Sequence, residues 1–495
     1  MTEIVTKPLL AMTPETRLKG NMGTTSLMLI VLAFAAPITS VTGIIPITII
    51  FGGAGATAAV LITTVLVLIF SVGFVAMTRQ IDRPGAFYSY VTAGLGKTVG
   101  LGGAFLTTAS YYLALVGAYA LDGVLASNMI MSFGGPDTPW FIWSGLAWLI
   151  ASVLGYFHIE MSAKVLVGAM ILEITIILIF GLLTFASKGA TGLTLQPFTP
   201  KALLHGNLPI TMLFCILMFL GFEATAVFRD EVHAPTRTIP RATYGAVLVI
   251  GLLYALSSYS LVIVYGSDAV SVAKANPTTM FPHAIGTIIA PIFVQFVSTA
   301  VVLSQFASAL SVHNVVTRYV HRLAADGALP RCFAGVHRKH HSPHRASVLV
   351  ALLVAAALAP FALRKAQPGL LYGQLMGVGL LGLLVVMALV SLAVIAWFSR
   401  HRRPETMSVW HTYIAPAIAF IGIGGIAVMA FLNFNLVFGS QSTQNALLFS
   451  LIAFAFIAGL ATATYFRCYK TLTYEALGGV LRGESSPEKQ GRCQC

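Results

Sequence analysis

Three ionisable side chains lie inside long apolar stretches of this sequence of 495 residues. Glu173 and Glu223 each interrupt an apolar run, and His313 lies within a third. A carboxylate is costly in hydrocarbon, so such residues usually face a bundle interior or an aqueous cavity. A carboxyl group can take up a proton or help to bind a cation, and an unperturbed imidazole titrates near neutral pH. These side chains are therefore the predicted ion-coupling residues.

Each of these side chains also has an alternative interpretation. Glu173 could pair with a neighbouring helix through a hydrogen bond, because polar contacts between helices are common in membranes. A single histidine on a helix, such as His313, is often a satisfied structural group. Glu223 beside a binding site would favour a cationic or zwitterionic cargo, and protonation of Glu223 would remove that preference. The sequence leaves these alternatives open.

The residues around Glu223 indicate how its carboxyl group is positioned. An apolar segment, ITMLFCILMFL, gives way at Gly221 to GFEATAVFRDEV, which puts the carboxyl group about midway along one membrane-crossing helix. Glycine leaves helical geometry most easily. Broken helices at the membrane midplane expose backbone groups to cargo in many secondary transporters. The sequence therefore predicts a break at Gly221 that forms half of a binding site.

The first apolar segment contains a second predicted break. It reads LMLIVLAFAAPITSVTGIIPITII and includes Pro37, Gly43 and Pro46. Proline removes a backbone donor and clashes with the preceding turn, so we expect an interruption near Pro37–Gly43. Taken alone, proline or glycine in a membrane helix is often only a packing feature. The two breaks, however, are five segments apart. Because five is an odd number of membrane crossings, the second five-helix half of the chain enters the membrane from the opposite side to the first, as in an inverted repeat.

The composition identifies the class of protein. The sequence is 57% hydrophobic and 9% charged, whereas soluble domains carry about 25% charged residues. It is therefore predicted to be an integral membrane protein whose surface contacts the lipid bilayer. The net charge of +13 could suggest nucleic acid, but the charges fall in short loops between apolar runs and not on one soluble face, so nucleic acid is not a predicted partner.

Twelve segments have roughly the length of about 20 apolar residues that a membrane helix needs. The predicted fold is an all-α membrane protein with twelve transmembrane helices, a 5+5 inverted repeat with broken helices 1 and 6, and two extra C-terminal helices. The predicted segments are Thr25–Phe51, Ala58–Ala76, Gly100–Leu125, Phe141–Phe157, Ala163–Phe185, Ile210–Glu231, Tyr244–Tyr265, Ile289–Leu323, Ala346–Leu363, Tyr372–Phe398, Tyr413–Phe434 and Ala446–Phe466.

The basic residues predict the orientation in the membrane. Of the 29 Lys and Arg residues, 24 fall on the face that carries both termini and five fall on the other face. Cytoplasmic loops carry the excess of Lys and Arg. The prediction is a multi-pass protein of the cell membrane with both termini in the cytoplasm.

No soluble domain is predicted, because the longest polar stretches are too short to bury a core. The sequence contains no HExxH, GxSxG or P-loop pattern, which argues against an enzyme, and no cofactor or metal is predicted. The predicted organisation is an N-terminal tail (1–23), a transporter domain (24–466) with repeats at about 24–186 and 208–399 and last helices at about 412–466, and a C-terminal tail (467–495).

Four motifs, in this order, give a resemblance to a known family. The first is the interrupted first helix that ends in TGII, and the second is the loop RPGAFYSY after the second helix. The third is GFE at Gly221 followed by DE and PTRTIPR, and the fourth is Arg318 with the ending DGALP. Together they resemble the amino acid–polyamine–organocation permeases, whose fold is that of the bacterial leucine transporter. The resemblance covers about Thr24 to Phe466.

The resemblance implies a central site between the first, third, sixth, eighth and tenth helices. The cargo's carboxylate would meet backbone donors at a half-helix N-terminus, and its ammonium would meet carbonyl oxygens in the sixth helix. Phe222 is similar to the family's aromatic gate, and a Phe facing lipid or the core is the alternative. The substrate-binding residues that the resemblance implies are Thr39, Ser40, Val41, Thr42, Gly43, Phe219, Gly221, Phe222 and Glu223.

The sequence departs from the family pattern in two places. The first break begins with Ala-Pro-Ile-Thr and not with a glycine-rich stretch. Many members have a lysine midway along the fifth helix, near the sodium position of sodium-driven relatives, where this sequence has Glu173. On the cytoplasmic side, a predicted charge cluster forms the inner gate or, alternatively, a solvated loop that caps a helix. Its members are Asp230, Glu231, Arg237 and Arg241.

The predicted function is secondary active transport of amino acids or related amines across the cytoplasmic membrane by alternating access. Proton-coupled uptake is the leading mechanism, with Glu173 and Glu223 as the groups that change charge. Amino acid or amine exchange is the alternative, and a ligand sensor with a transporter fold is a further one. The small-molecule cargo and protons are the predicted partners; the individual cargo and the oligomeric state are not predicted.

Overall fold

The structure is a computed structural model of the chain. It describes residues 22–81, 86–157, 163–227, 229, 232–337, 342–365, 368–401, 403–405, 407–434 and 442–477. These residues are mostly helical and form no β-strand among themselves; Met22 and Val232 make an isolated bridge. The architecture is therefore all-α, as predicted.

Twelve helical spans follow one another along the chain, and their order matches the prediction. We number them first to twelfth. The first and the sixth are interrupted. Their bounds are Thr24–Ala35 with Pro37–Gly43 and Ile45–Gly52, Ala56–Gln80, Lys97–Ser132, Trp140–Tyr156, Ala163–Gly192, Leu208–Leu217 with Ala224–Val227, Pro235–Tyr265, Ile292–Ala325, His344–Leu363, Pro368–Arg400, Trp410–Ile414 continuing as Ala415–Leu432, and Ser442–Tyr469.

Short helices connect several of these spans. Two of them form a hairpin between the seventh and eighth spans, and one follows the twelfth. The short helices are Gly53–Gly55, Ala86–Leu95, Gln196–Phe198, Pro200–His205, Gly266–Asp268, Ala269–Ala275, Pro277–Ile288, Arg331–Ala334 and Thr471–Ala476.

The outer surface of the bundle is apolar. Nine helical stretches of the described chain are long and apolar enough to cross a membrane. One of them, Pro37–Gln80, covers parts of the first two spans, and the fourth and sixth spans contain shorter apolar helices. Large side chains such as Leu182, Leu352 and Phe454 are exposed. The chain is thus an all-α membrane protein with twelve spans.

The third span lies in the middle of the bundle. It packs against the fourth, eighth, tenth and twelfth spans. It approaches the tenth span closely at Gly379, where an added Cβ atom would lie 2.6 Å from the Ser110 carbonyl oxygen. A side chain at position 379 would therefore push the two helices apart. The third span is held from several sides, so it can position side chains against the broken spans.

The first span is interrupted at two places. Ala36 has a φ of 43° and ends the first helical piece, and Ile44 separates the short helix Pro37–Gly43 from the piece that follows. The predicted interruption is confirmed, but residues 37–43 are themselves helical and the breaks flank them. The ring of Pro37 disfavours ordinary helical geometry for the residue before it, which agrees with an interruption at Ala36.

The sixth span loses helical geometry in its middle. Its first helix ends at Leu217, residues 218–223 form turns, and a helix resumes at Ala224. Gly221 lies in these turns with a φ of 102°, a conformation that favours glycine because other residues have a Cβ atom. The predicted break at Gly221 is confirmed.

The segment after the twelfth span folds back onto the bundle. The span runs past residue 467, where the sequence predicts the start of a tail, and the helix Thr471–Ala476 follows. The Tyr474 hydroxyl is 3.1 Å from the Thr98 hydroxyl at the start of the third span. Leu477 is buried. This part of the predicted tail is helical because its apolar and aromatic side chains cover a surface of the bundle.

Candidate functional site

A cavity of about 90 Å³ lies among the first, third, sixth, eighth and tenth spans. Ala36 and Leu220 line it, so the cavity touches both broken spans. Most of the wall is apolar, which is usual for a small-molecule site in which a few polar groups fix orientation. The polar side chains of the wall are Thr39, Ser40, Tyr111, Gln305, Ser308 and Tyr372.

A larger groove of about 470 Å³ lies between the second and eleventh spans and the start of the sixth. All the described side chains that line it are apolar, among them Ile62, Met212 and Met429. Ile62 and Met429 are exposed on the outer surface of the bundle. Because it has no polar group to orient a cargo, this groove is a weaker candidate site than the smaller central cavity.

Glu173 binds the backbone at the break of the first span. Its Oε2 atom accepts a hydrogen bond of 3.2 Å from the Ile38 N–H group, in the first turn of the helix that begins at Pro37. The first N–H groups of a helix have no partner within the helix, so a carboxylate is favoured there. The Ser304 hydroxyl lies beside this carboxyl group and has no hydrogen-bond partner among the described residues. Two oxygen-bearing side chains that could hold a proton or a small cation therefore meet at the first break.

Glu223 binds the backbone at the break of the sixth span. Its Oε2 atom accepts a hydrogen bond of 3.0 Å from the Gly221 N–H group. The Tyr111 hydroxyl of the third span donates to Oε1. Tyr111 lines the cavity and Glu223 does not, so this carboxyl group lies one side chain behind the cavity wall. Each predicted acid thus accepts a hydrogen bond from a backbone N–H group at a broken helix.

The predicted substrate-binding residues, all of which are described, divide into two groups. Thr39 and Ser40 line the cavity. The Thr39 hydroxyl also donates to the Val301 carbonyl oxygen of the eighth span, at 3.5 Å. The others are buried around the cavity and do not form its wall; they are Val41, Thr42, Gly43, Phe219, Gly221, Phe222 and Glu223.

Phe222 faces the second span and not the cavity. Its ring centroid lies 5.8 Å from that of Phe70 and 5.9 Å from that of Phe74, in edge-to-face contacts. Phe219 makes a similar edge-to-face contact with Tyr254 of the seventh span, at 6.5 Å. Such pairs stabilise packing beyond their buried area. In this conformation Phe222 is a core residue, and its gating role stays a prediction.

His313 links three spans behind the cavity. Its Nδ1 atom is 3.3 Å from the Tyr119 hydroxyl of the third span, and its Nε2 atom is 3.1 Å from the Ser347 hydroxyl of the ninth. Both ring nitrogens therefore have partners. The neighbouring residue Val312, and not His313, lines the cavity. The predicted role of His313 in ion coupling stays a prediction.

The predicted cytoplasmic gate residues lie near the start of the seventh span. Arg237 and Arg241 are exposed there, and Asp230 and Glu231 lie outside the described residues. Arg229 is buried, and its Nη1 atom donates to the carbonyl oxygen of Thr78 in the second span, at 2.5 Å. A basic side chain therefore joins the sixth and second spans at this end of the bundle, while the predicted gate cluster stays a prediction.

A family model described as amino acid permease matches residues 25–474 of this chain. The chain belongs to the amino acid permease family. This finding confirms the family resemblance that the four sequence motifs indicate. It also agrees with the prediction that the chain is not an enzyme, because the family is one of permeases.

Relatives of this amino acid permease family member include two transporters of Escherichia coli. The lysine-specific permease LysP is 27% identical over 295 residues, which cover 55% of this chain and 57% of LysP. The low-affinity putrescine importer PlaP is 22% identical over 375 residues, which cover 74% of this chain and 78% of PlaP. The match therefore spans little more than half the length of LysP.

Solved structures that share the fold of this family member include a protein bound to an amino acid. The crystal structure of MhsT in complex with L-phenylalanine aligns with a TM-score of 0.57 and 14% sequence identity, over 83% of this chain and 100% of that chain. At this identity the likeness concerns the fold alone. It confirms the predicted leucine-transporter-like fold of twelve spans with interrupted first and sixth spans.

Two buried side chains of this permease family member were not predicted from its sequence. Tyr111 binds Glu223 and lines the cavity. Asp122 is buried in the third span, and neither of its carboxyl oxygens is bonded to a described residue. The signal for Asp122 is the same as that for Glu173 and Glu223, an acid within an apolar run. Tyr111 had no such signal, because aromatic residues are common in membrane helices.

Replacing Gly221 by alanine should destabilise this permease family member by about 1–3 kcal/mol, the usual cost of a residue held in a sparsely populated backbone conformation. The reason is the φ of 102° at this position. The measurement is the free energy of unfolding of the purified protein in detergent. Gly424→Ala is the matched control, because no atom lies within 4 Å of an added Cβ atom there. Equal stabilities of the two variants would contradict the prediction.

Proposed function

We propose that this protein is a secondary active transporter that moves amino acids or related amines across the cytoplasmic membrane by alternating access, with proton-coupled uptake as its mechanism. One observation carries the proposal. Two interrupted helices meet at one small cavity, and at each interruption a carboxyl group accepts a hydrogen bond from a backbone N–H group. The arrangement combines backbone groups for a cargo with acids that can take up a proton.

The first span would receive the carboxylate of the cargo. Thr39 and Ser40 lie in the first turns of the helix Pro37–Gly43 and line the cavity. Helix N-termini favour anions because their N–H groups point outward and the helix dipole is positive there. The Ile38 N–H group is bound to Glu173, and the hydroxyls of Thr39 and Ser40 donate to the carbonyl oxygens of Val301 and Ala35. The carboxylate of the cargo would therefore take over one of these donors or bind the adjacent backbone.

The sixth span would receive the ammonium group. Its helix ends at Leu217, and the turns over residues 218–223 free carbonyl groups from regular helical bonding. Leu217 and Leu220 line the cavity at this point. The cargo would thus meet backbone carbonyl oxygens and not the carboxyl group of Glu223, which is bound by Tyr111 and Gly221. This arrangement favours a zwitterion over a cargo that needs a full negative charge beside it.

The relatives support an amino compound as cargo. The names of LysP and PlaP refer to lysine and putrescine, and both of these compounds carry ammonium groups. The cavity wall contains no charged side chain among its described residues. We therefore place zwitterionic amino acids with small or apolar side chains first among the candidates and dications such as putrescine after them.

Protonation of Glu173 offers a mechanism for coupling. A hydrogen bond to a carboxylate is roughly twice as strong as one between neutral groups. Deprotonated Glu173 would hold the Ile38 N–H group tightly and fix the geometry of the first break, and protonated Glu173 would hold it more weakly. Because Thr39 is the next residue and lines the cavity, a change of proton at Glu173 would alter the cargo site through the backbone.

The charges of the chain support the proposed orientation of the transporter in the membrane. The 24 Lys and Arg residues on the face of the termini, against five on the other, favour a topology with both termini in the cytoplasm. Uptake would then carry cargo from the face of the short helices Ala269–Ala275 and Pro277–Ile288 towards the face of the tails.

The experiment is uptake into proteoliposomes that contain the purified protein. A panel of radiolabelled amino acids and amines is tested with an imposed proton gradient, with an imposed sodium gradient, and with cargo preloaded inside. We expect uptake of at least one neutral amino acid that rises with an inward proton gradient and not with sodium. Uptake that depends only on preloaded cargo would identify an exchanger instead. Binding of cargo without uptake under any gradient would contradict transport.

A further inference from the structure

The third span contains a carboxyl group that has no hydrogen-bonding partner. Asp122 is 3% exposed, and neither of its carboxyl oxygens is bonded to any residue that the structure describes. Buried polar groups in native proteins nearly always have a partner, so an exception needs an explanation. Acids within membrane spans usually mark the path of an ion or a substrate.

Asp122 lies one helical turn beyond the cavity. It follows Ala118, which lines the cavity, by four residues on the same side of the helix, or about 6 Å along the axis. The span ends at Ser132, about 15 Å further on, at the end that the basic residues assign to the outside. The neighbouring residue Leu121 lines the cavity and packs against Gly43 of the first span. Asp122 is therefore located between the cargo cavity and the outer surface.

The described spans around Asp122 have no basic side chain in their outer halves. The basic residues of the outer face are all exposed; they are Lys188, Lys201, Lys274, Arg364 and Lys365. The first and fourth spans contain no Lys or Arg. In the third, eighth, tenth and twelfth spans, the Lys and Arg residues are confined to the end assigned to the cytoplasm; they are Lys97, Arg318, Arg322, Arg400 and Arg467. The ninth span has Arg345 in its first turn, at the same end. A charged Asp122 would thus have no ion-pair partner within the outer half of these helices.

The other titratable groups of the packed elements are neutral or distant. Tyr119 lies one turn before Asp122, and its hydroxyl is bonded to His313 of the eighth span. Tyr372 of the tenth span is buried in the cavity wall. The fourth span has only Tyr156, at its far end, and His283 of the outer hairpin is exposed. His321 of the eighth span, His344 of the ninth, and Tyr465, Cys468 and Tyr469 of the twelfth lie towards the cytoplasmic ends.

We propose that Asp122 is a proton-binding site in the outer half of the protein, separate from Glu173 and Glu223. Asp122 holds a proton while it is enclosed, as in this structure, and exchanges it with outside water when the outer half opens. A proton needs a single lone pair, whereas a metal ion needs several ligands. The described residues contain no group of three or more His, Cys, Asp or Glu side chains that could hold a metal ion. The use of this proton in uptake rests on the proposed function; its presence on Asp122 does not.

The test is infrared spectroscopy of the purified protein in lipid at neutral pH. The C=O stretch of a protonated carboxyl group is separate from the bands of carboxylates, and carboxyl-labelled ¹³C-aspartate shifts the bands of aspartate alone. The chain has six Asp residues. We expect one isotope-shifted band of a protonated carboxyl group in the wild type and its loss in Asp122→Asn. The exposed residue Asp137 provides the matched control, Asp137→Asn, which should keep the band.

Three results would overturn the proposal. The first is the absence of a protonated aspartate band in the labelled wild type, which is decisive even if the variant fails to fold. The second is a band that persists in Asp122→Asn. The third is loss of the band when sodium replaces choline in the buffer, because the site would then take a metal cation. None of these measurements needs a cargo, so their outcome is independent of whether the protein transports amino acids.

The exchange of the proton during uptake has a separate readout. In proteoliposomes, Asp122→Asn should lower the stimulation of uptake by an inward proton gradient from about fivefold or more to near 1, a loss within the usual range of coupling between two sites. Uptake without a gradient should persist, since Asn keeps the shape of the side chain. The role of Asp122 in proton exchange would be overturned if Asp122→Asn lost the infrared band of the wild type but kept the wild-type stimulation of uptake.

Discussion

Transport should be lost when Glu223 is replaced by alanine, and the free energy of unfolding should fall by about 2–6 kcal/mol. The carboxyl group accepts hydrogen bonds from two buried donors, the Tyr111 hydroxyl and the Gly221 N–H group. Each buried donor left without an acceptor costs about 1–3 kcal/mol. The break of the sixth span would lose the side chain that holds it. The measurements are uptake into proteoliposomes and chemical unfolding of the purified protein.

Two conservative variants control for this change. Glu223→Gln keeps an oxygen for the Gly221 N–H group and offers its NH₂ group to the Tyr111 oxygen, so the protein should remain folded. Tyr111→Phe removes only the bond across the spans. Because the two side chains are in contact, the double variant should depart from additivity by about 0.5–3 kcal/mol. Strictly additive losses of stability would mean that the bond between Tyr111 and Glu223 does not contribute.

Local sequence signals were sufficient to predict the two breaks. Proline and glycine change the backbone energy of their own and adjacent residues, so their effect can be predicted from a few neighbouring positions. The sixth span breaks at Gly221, as expected. In the first span the interruption falls at Ala36 and at Ile44, one residue outside the predicted stretch at each end. Sequence alone favours glycine for a positive φ and does not show that the alanine before Pro37 takes this conformation.

The partners of the buried acids could not be predicted in the same way. Tyr111 and Glu223 are separated by 112 positions, and Ile38 and Glu173 by 135. The face that an apolar helix turns towards its neighbours depends on packing, because lipid and protein interior are both apolar. The same uncertainty applies to Phe222, which packs on Phe70 of the second span.

Asp122 is a different case, since its sequence context was informative. It lies within the apolar run Gly100–Leu125, and the rule that singles out Glu173 and Glu223 applies to it equally. The sequence could have shown that this acid is buried in the membrane. Of the three acids, Glu173 and Glu223 accept hydrogen bonds, and Asp122 has no hydrogen-bond partner among the described residues. The sequence could not have shown this difference, because the partners of an acid depend on which helices surround it.

The two broken spans and their acids form one unit. Glu173 reaches the first break from the fifth span, and Glu223 lies within the second break. A movement of either half-helix must therefore change the hydrogen bond of a carboxyl group. Because such a bond depends on the charge of the acceptor, the proposed mechanism would link protonation to movement through the same two contacts. This linkage is what proton-driven alternating access requires.

Glu173→Gln should make uptake insensitive to a proton gradient while leaving cargo binding within about threefold of the wild type, a change of less than 1 kcal/mol. Glutamine resembles the protonated carboxyl group, and its amide oxygen can still accept a hydrogen bond from the Ile38 N–H group, so the first break keeps the geometry that it has in the protonated wild type. Glutamine cannot gain or lose a proton, so the coupling step is removed. For the wild type we expect an inward proton gradient to stimulate uptake by about fivefold or more. For the variant, uptake with the gradient divided by uptake without it should be near 1.

Two further variants show which part of this contact matters. Glu405→Gln alters an exposed carboxyl group between the tenth and eleventh spans and should leave the stimulation unchanged. Ser304→Ala removes the hydroxyl beside Glu173 and would weaken uptake only if that hydroxyl helps to hold a cation. Proton stimulation that survives in Glu173→Gln would assign the coupling to another acid. Uptake could instead be stimulated by sodium, and this stimulation could be lost in both Glu173→Gln and Ser304→Ala. That result would identify the first break as a sodium site, because a bound metal ion needs both oxygens whereas a proton needs only the carboxyl group.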